Sequence, residues 1–182
     1  AAVGTGLLGM LLGADATYRN GDTDLAFTYG IAGPLRVRDG VLHIAPLGAV
    51  LYGSGTVPNL QGNGALAFGD SLSLQLDGTL SSWPRAWPQL PSPLGESTSP
   101  LPFALDYRGR ADLSATTALR LRRDTTRFDG EFRLPSIVHW IDTFDRASPL
   151  PPLNGHLSSP TLDIAGATLE GVEVEFGEDQ TP

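Results

Sequence analysis

The sequence contains no cysteine. Disulfides, zinc–thiolate sites, iron–sulfur clusters and thiol nucleophiles are therefore excluded together. It also contains no lysine, so all 12 basic residues are arginine, set against 20 acidic ones for a net charge of −8. Phosphate neutralisation along a nucleic acid wants a basic face, and this balance argues against such a partner. No apolar run reaches the roughly 20 residues of a membrane-spanning helix. Ala1 to Ala14 is apolar or glycine apart from Thr5, but it is too short and has no basic segment before it to act as a signal peptide. A glycine-rich buried strand, or the cut edge of a longer chain, is expected there. Long helices are equally disfavoured, because the 22 Gly and 15 Pro make up about a fifth of the 182 residues, against roughly 12% in average usage. The length is that of one domain.

What remains is a period of two, the signature of strands with one apolar side. Leu25, Phe27, Tyr29 and Ile31 alternate with Ala26, Thr28 and Gly30. Leu66 and Phe68 lead into Leu72, Leu74 and Leu76, and the beat returns at Phe103, Leu105 and Tyr107, at Leu119 and Leu121, at Leu162 and Ile164, and at Val172, Val174 and Phe176. Between these runs stand Asn20-Gly21, Asp39-Gly40, Asn63-Gly64, Asp77-Gly78, Asp129-Gly130 and Asn154-Gly155, dipeptides suited to tight hairpins. One-sided strands joined by hairpins predict an all-β antiparallel meander of about ten to twelve short strands, curved into a groove or folded as a sandwich.

Two segments depart from that period. Trp83 to Pro102 carries Pro84, Pro88, Pro91, Pro93, Pro100 and Pro102, each of which removes a backbone donor. Its Trp83, Trp87 and Leu90 are too apolar for a solvated linker, so it is expected to cap one end of the sheet. Pro135 to Ala147 places Ile137, Val138, Trp140, Ile141 and Phe144 on one helical face, and one amphipathic helix is predicted there. The single domain over 1–182 thus divides into an apolar lead segment at 1–14, a proline-rich connector at 83–102 and a β-rich part at 103–177.

Motifs that carry chemistry are weak. Gly4-Thr5-Gly6-Leu7-Leu8-Gly9 matches a dinucleotide fingerprint, but no βαβ unit surrounds it. Asn20, Asp22 and Asp24, with Asp15 nearby, alternate like calcium ligands but lack the glycine and bidentate glutamate of an EF-hand. His43, His139 and His156 have no zinc spacing, and Gly53-Ser54-Gly55 is not a nucleophile elbow. No enzyme activity, metal or cofactor is expected. Arg120, Arg122, Arg123, Arg127 and Arg133 are read on the polar face, opposite Leu119, Leu121, Phe128 and Phe132. Cross-strand pairing with Asp124, Asp129 and Glu131 is the favoured account, with anionic headgroups or a partner as the alternative.

Pro149 to Phe176, reading PLPPLNGHLSSPTLDIAGATLEGVEVEF, resembles the closing hairpin of AsmA-like proteins of Gram-negative bacteria, and Tyr107-Arg108-Gly109 with Phe128-Asp129-Gly130-Glu131-Phe132 is similar in style. The resemblance implies a periplasmic β-groove tethered to the inner membrane through a segment upstream of, or including, 1–14. It further implies a non-enzymatic role in outer-membrane assembly: phospholipid acyl chains lie on the apolar face, and inner-membrane or envelope proteins are partners. The alternation then assigns the groove to Leu72, Leu74, Leu76, Phe103, Leu105, Tyr107, Leu119, Leu121, Val172, Val174 and Phe176. Two other readings are a secretion component resembling the type II secretion protein N, and a compact β-sandwich module in which Trp83, Trp87 and Trp140 stack on a sugar or peptide.

Overall fold

The computed structural model describes residues 8–20, 23–85, 87, 90, 92, 95, 97, 99–143, 151–164 and 166–177. The fingerprint residues Gly4 to Leu7, together with Asp22 and Phe144 to Ala147, lie outside them. The chain forms strands Leu8–Asn20 (β1), Thr23–Arg38 (β2), Val41–Gly53 (β3), Asn59–Phe68 (β4), Leu72–Ser82 (β5), Leu101–Gly109 (β6), Thr116–Arg123 (β7) and Thr126–Arg133 (β8). A helix, Leu134–Thr143 (α1), precedes Leu153–Ile164 (β9) and Ala167–Phe176 (β10). All ten strands lie in one open antiparallel sheet in chain order. The predicted meander is what the chain forms, and the sandwich alternative is not, because the described residues make one sheet.

The strands are longer than predicted, at 8 to 16 residues. Four of the six hairpin dipeptides cause this difference: Asn63-Gly64, Asp77-Gly78, Asp129-Gly130 and Asn154-Gly155 lie inside β4, β5, β8 and β9. Asp39-Gly40 does turn, with φ of 52° and 78°, the paired positive values that a tight hairpin needs. The internal glycines instead permit close approach. A Cβ on Gly64 would strike the Gln75 carbonyl, and one on Gly78 the Gln61 carbonyl. Two of the prolines inside strands sit at irregularities, where a missing donor does least harm. Pro34 lies at the register shift between Ala32 and Leu35, and Pro46 at that between Ile44 and Leu47.

The sheet is bent. Seven strand spacings of about 4.8 Å put β1 roughly 34 Å from β8 in a flat sheet, yet α1, which directly follows β8, touches both β8 and β1. Ten residues of helix span only about 15 Å, so the sheet must curl to bring β1 within reach. The side that carries the buried side chains is therefore the concave one. Ile44, Leu47, Leu76, Leu80, Leu101 and Phe103 form the core between β3 and β6, and Ile31, Leu60, Leu74, Trp83, Leu105, Leu119 and Leu121 pack around it. Each fully buried leucine of this size contributes about 1.5–3 kcal/mol.

The expected buried strand at the start of the chain is a strand, but an exposed one. It lies at one end of the strand order, and Leu11 is 87% exposed there. The helix begins at Leu134, one residue earlier than predicted, and its Val138 is buried.

Candidate functional site

The pairing register places the predicted groove residues on one face. Leu76 lies opposite Leu105, and Leu105 opposite Leu119. A parallel row runs Phe103, Leu121, Phe128, Leu157 and Val174, and a third joins Leu66, Leu74 and Tyr107. Val172 pairs with Ser159, and Phe176 occupies the position opposite Gly155. Because side chains opposite one another in an antiparallel pair project to the same side, apolar rows cross from β4 to β10.

Their burial divides them. Leu76, Phe103 and Tyr107 are buried, and Tyr107 is also tied down, since its hydroxyl donates to the Arg110 carbonyl at 2.5 Å. Leu72, Leu74, Leu105, Leu119, Leu121, Val172 and Val174 are only half-buried. The middle of the trough is thus filled by its own side chains, while its flanks keep accessible apolar surface. Two shallow depressions, about 480 and 790 Å³, lie over β1 to β5, and none of the eleven predicted residues lines either one.

Each end of the trough carries a different element. Strand direction alternates, so the ends of β5, β7 and β9 share one end of the sheet with the start of β6. The connector from Ser82 to Leu101 lies at this end. Its Ser92 carbonyl accepts the Asp163 amide of β9 at 2.9 Å, which carries the connector past β6, β7 and β8 as a strap. Arg123, read from sequence on the polar face, corrects that assignment. It shares the parity of Leu119 and Leu121, is 8% exposed, and donates to the Ser97 and Ser99 carbonyls at 3.2 and 2.7 Å. A guanidinium is tolerated on the apolar side because strap carbonyls replace its water. Beside it, Ser159 donates to the Thr161 carbonyl at 2.7 Å, so in the Thr126–Ser159 contact at 2.8 Å Thr126 is the donor. Helix α1 lies at the opposite end, where β8 stops and β1 begins. The anchor points of the strap were not legible in the sequence, because hydrogen bonds to backbone carbonyls leave no residue-type signal.

Trp83 and Trp87 are half-buried and meet edge to face, with centroids 4.8 Å apart at 84°. Trp140, on α1, is half-buried. The alternating oxygen residues near Asn20 are engaged otherwise: Asp24 pairs with Arg19 at 3.2 Å, and Asp15 accepts the Thr28 hydroxyl at 2.5 Å.

Electrostatics on the concave side are sparse. The Asp112 carboxylate lies in the exposed β6–β7 loop. Its pKa is lowered first by the Ser114 hydroxyl at 2.6 Å, then by the Ser114 amide at 3.0 Å, with Arg110 at 3.1 Å assisting. Among the described residues no group of His, Asp and Glu could hold a metal ion, and no helix is long and apolar enough to cross a membrane. In comparison with known proteins, the chain matches no family model, no curated protein and no solved structure.

Proposed function

We propose that this chain is a non-enzymatic, lipid-binding β-groove protein, which lays phospholipid acyl chains along its concave face and leaves the headgroups in water. The observation that carries the reading is the band of half-buried apolar residues, Leu72, Leu74, Leu105, Leu119, Leu121, Val172 and Val174, on a sheet over which the described residues place no second sheet. Contiguous apolar surface of this kind on a soluble chain marks a place where something apolar sits. Acyl chains suit a trough open along its length: they need no polar partners and gain about 0.8 kcal/mol per buried methylene. The AsmA-like C-terminal pattern supports placing this activity in the periplasm of a Gram-negative envelope, tethered to the inner membrane and serving outer-membrane assembly.

Titration of the purified protein with a phospholipid bearing an environment-sensitive fluorophore on one acyl chain tests the reading. Saturable fluorescence enhancement, lost in Leu105→Asp while the far-ultraviolet circular dichroism stays β-like, is the expected result. Enhancement that is absent in the native protein, or undiminished in the folded variant, contradicts it.

A further inference from the structure

We propose a second site, on the opposite face of the sheet: a phosphate-binding site built on Arg122 and Arg127. Arg120 and Arg122 of β7 and Arg127 and Asp129 of β8 are exposed on the outward side. The register pairs Arg120 with Asp129 but sets Arg122 directly against Arg127. Like charges held opposite each other across an antiparallel pair, with Cβ atoms about 5 Å apart, weaken that pair. The carboxylates nearby do not relieve it. Asp124, Asp129 and Glu131 are exposed on the same hairpin, yet the ion pairs among the described residues lie elsewhere, at Arg19–Asp24, Arg108–Asp106 and Arg110–Asp112. Even Arg120 and Asp129 face each other without closing to an ion pair.

The row continues with Ser158, which lies opposite Arg127 on β9, and is bounded beyond it by the exposed Glu173 of β10, which pairs with neither arginine. Two guanidinium forks and a hydroxyl therefore stand side by side across three strands. An arginine fork matches two oxygens of a phosphate, and two forks with a hydroxyl can serve all its free oxygens. The surroundings select for a single phosphate over a long polyanion. Leaving out the inward Arg123, residues 116–133 hold four Arg and three acids, a net of +1, whereas the residues outside that span hold seven Arg and seventeen acids, a net of −10. A nucleic acid reaching beyond the hairpin meets repulsion. The ligand class is thus a phosphate group presented singly, on a soluble compound or a phospholipid headgroup. The site lies across the sheet from the apolar trough and stands whether or not acyl chains bind there.

The test uses two probes on the ¹⁵N-labelled protein: inorganic phosphate, and vesicles of phosphatidylglycerol compared with phosphatidylcholine. Phosphate is expected to shift the Arg122 and Arg127 side-chain Nε–H resonances and the Ser158 amide, with affinity at least about tenfold weaker in the R122Q/R127Q double variant. The R36Q/R38Q variant, which changes two exposed arginines of β2, serves as the control and should respond as the native protein does. Binding to phosphatidylglycerol vesicles that is lost in R122Q/R127Q assigns the site to headgroups, and a response to phosphate without vesicle binding assigns it to soluble phosphate compounds. Response to neither probe overturns the proposal, as does an equal response in the folded double variant or an equal loss in R36Q/R38Q.

Discussion

The guanidinium of Arg123, near the end of β7, donates to the carbonyl of Ser99 at 2.7 Å, joining the sheet to a connector that leaves β5 and returns as β6. With the Ser97 carbonyl at 3.2 Å and the Ser92–Asp163 backbone contact at 2.9 Å, it holds the strap over one end of the trough.

Replacing Arg123 with Ala should therefore loosen the strap more than the sheet. Charge-assisted hydrogen bonds contribute about 1.5–3 kcal/mol, and denaturant unfolding should report a loss of that order. Trp83 and Trp87, packed edge to face at the base of the strap, should become wetter, with a red-shifted emission. Unchanged stability and emission would mean that the clamp holds nothing.

Burial separates two kinds of apolar position on one face. Leu76→Ala, at 7% exposure, should destabilise by about 2–5 kcal/mol as a core truncation. Leu74→Asp and Leu121→Asp, at half-buried positions, should instead abolish lipid retention while the far-ultraviolet circular dichroism stays β-like. Unfolding of both aspartate variants would make the whole face core and remove the basis for a groove.

Gly64 tests why glycine stands inside a strand. Its Cβ would collide with the Gln75 carbonyl on the paired strand, an overpacking that costs about 1–3 kcal/mol. Gly64→Ala should lower the melting temperature by several degrees, at about 2–4 °C per kcal/mol for a domain of this size. A melting temperature equal to that of the native protein would show that the strand can shift aside.

Asp112 sets an acid limit on the β6–β7 loop. Its pKa is lowered, above all by the Ser114 hydroxyl and amide, so the ionised form is favoured in the folded state. The stabilisation is present above the unfolded value near 3.8 and is lost as the pH falls through the lower folded value. Carboxyl carbon NMR should find Asp112 titrating below ordinary aspartates, and Ser114→Ala should move it back toward them. A titration unaffected by Ser114→Ala would contradict the assignment.

The meander, its helix α1 and its apolar face are written in periodicity, because side chains on a strand alternate and each neighbour copies the beat. Leu76, Leu105 and Leu119 were readable as face residues before their register was known, and pairing then aligned them. Turn chemistry misled at Asn63-Gly64 and Asp77-Gly78, where the glycine answers to a crowding carbonyl and not to a turn. Period alone left a curved groove and a sandwich both open, since the bend depends on α1 meeting β1 across more than a hundred residues of chain. The inward aim of Arg123 was hidden for a related reason: an arginine in a strand reads as polar until its carbonyl partners are known. Which half of the apolar face is core and which half is free likewise depends on the bend.

Native mass spectrometry of the protein purified in mild detergent, followed by solvent extraction and lipid analysis, tests the central proposal most directly. The account predicts phospholipid retained in near-stoichiometric amount and released by Leu74→Asp. A clean 19.2 kDa species without lipid would contradict it, showing that the concave face closes upon itself.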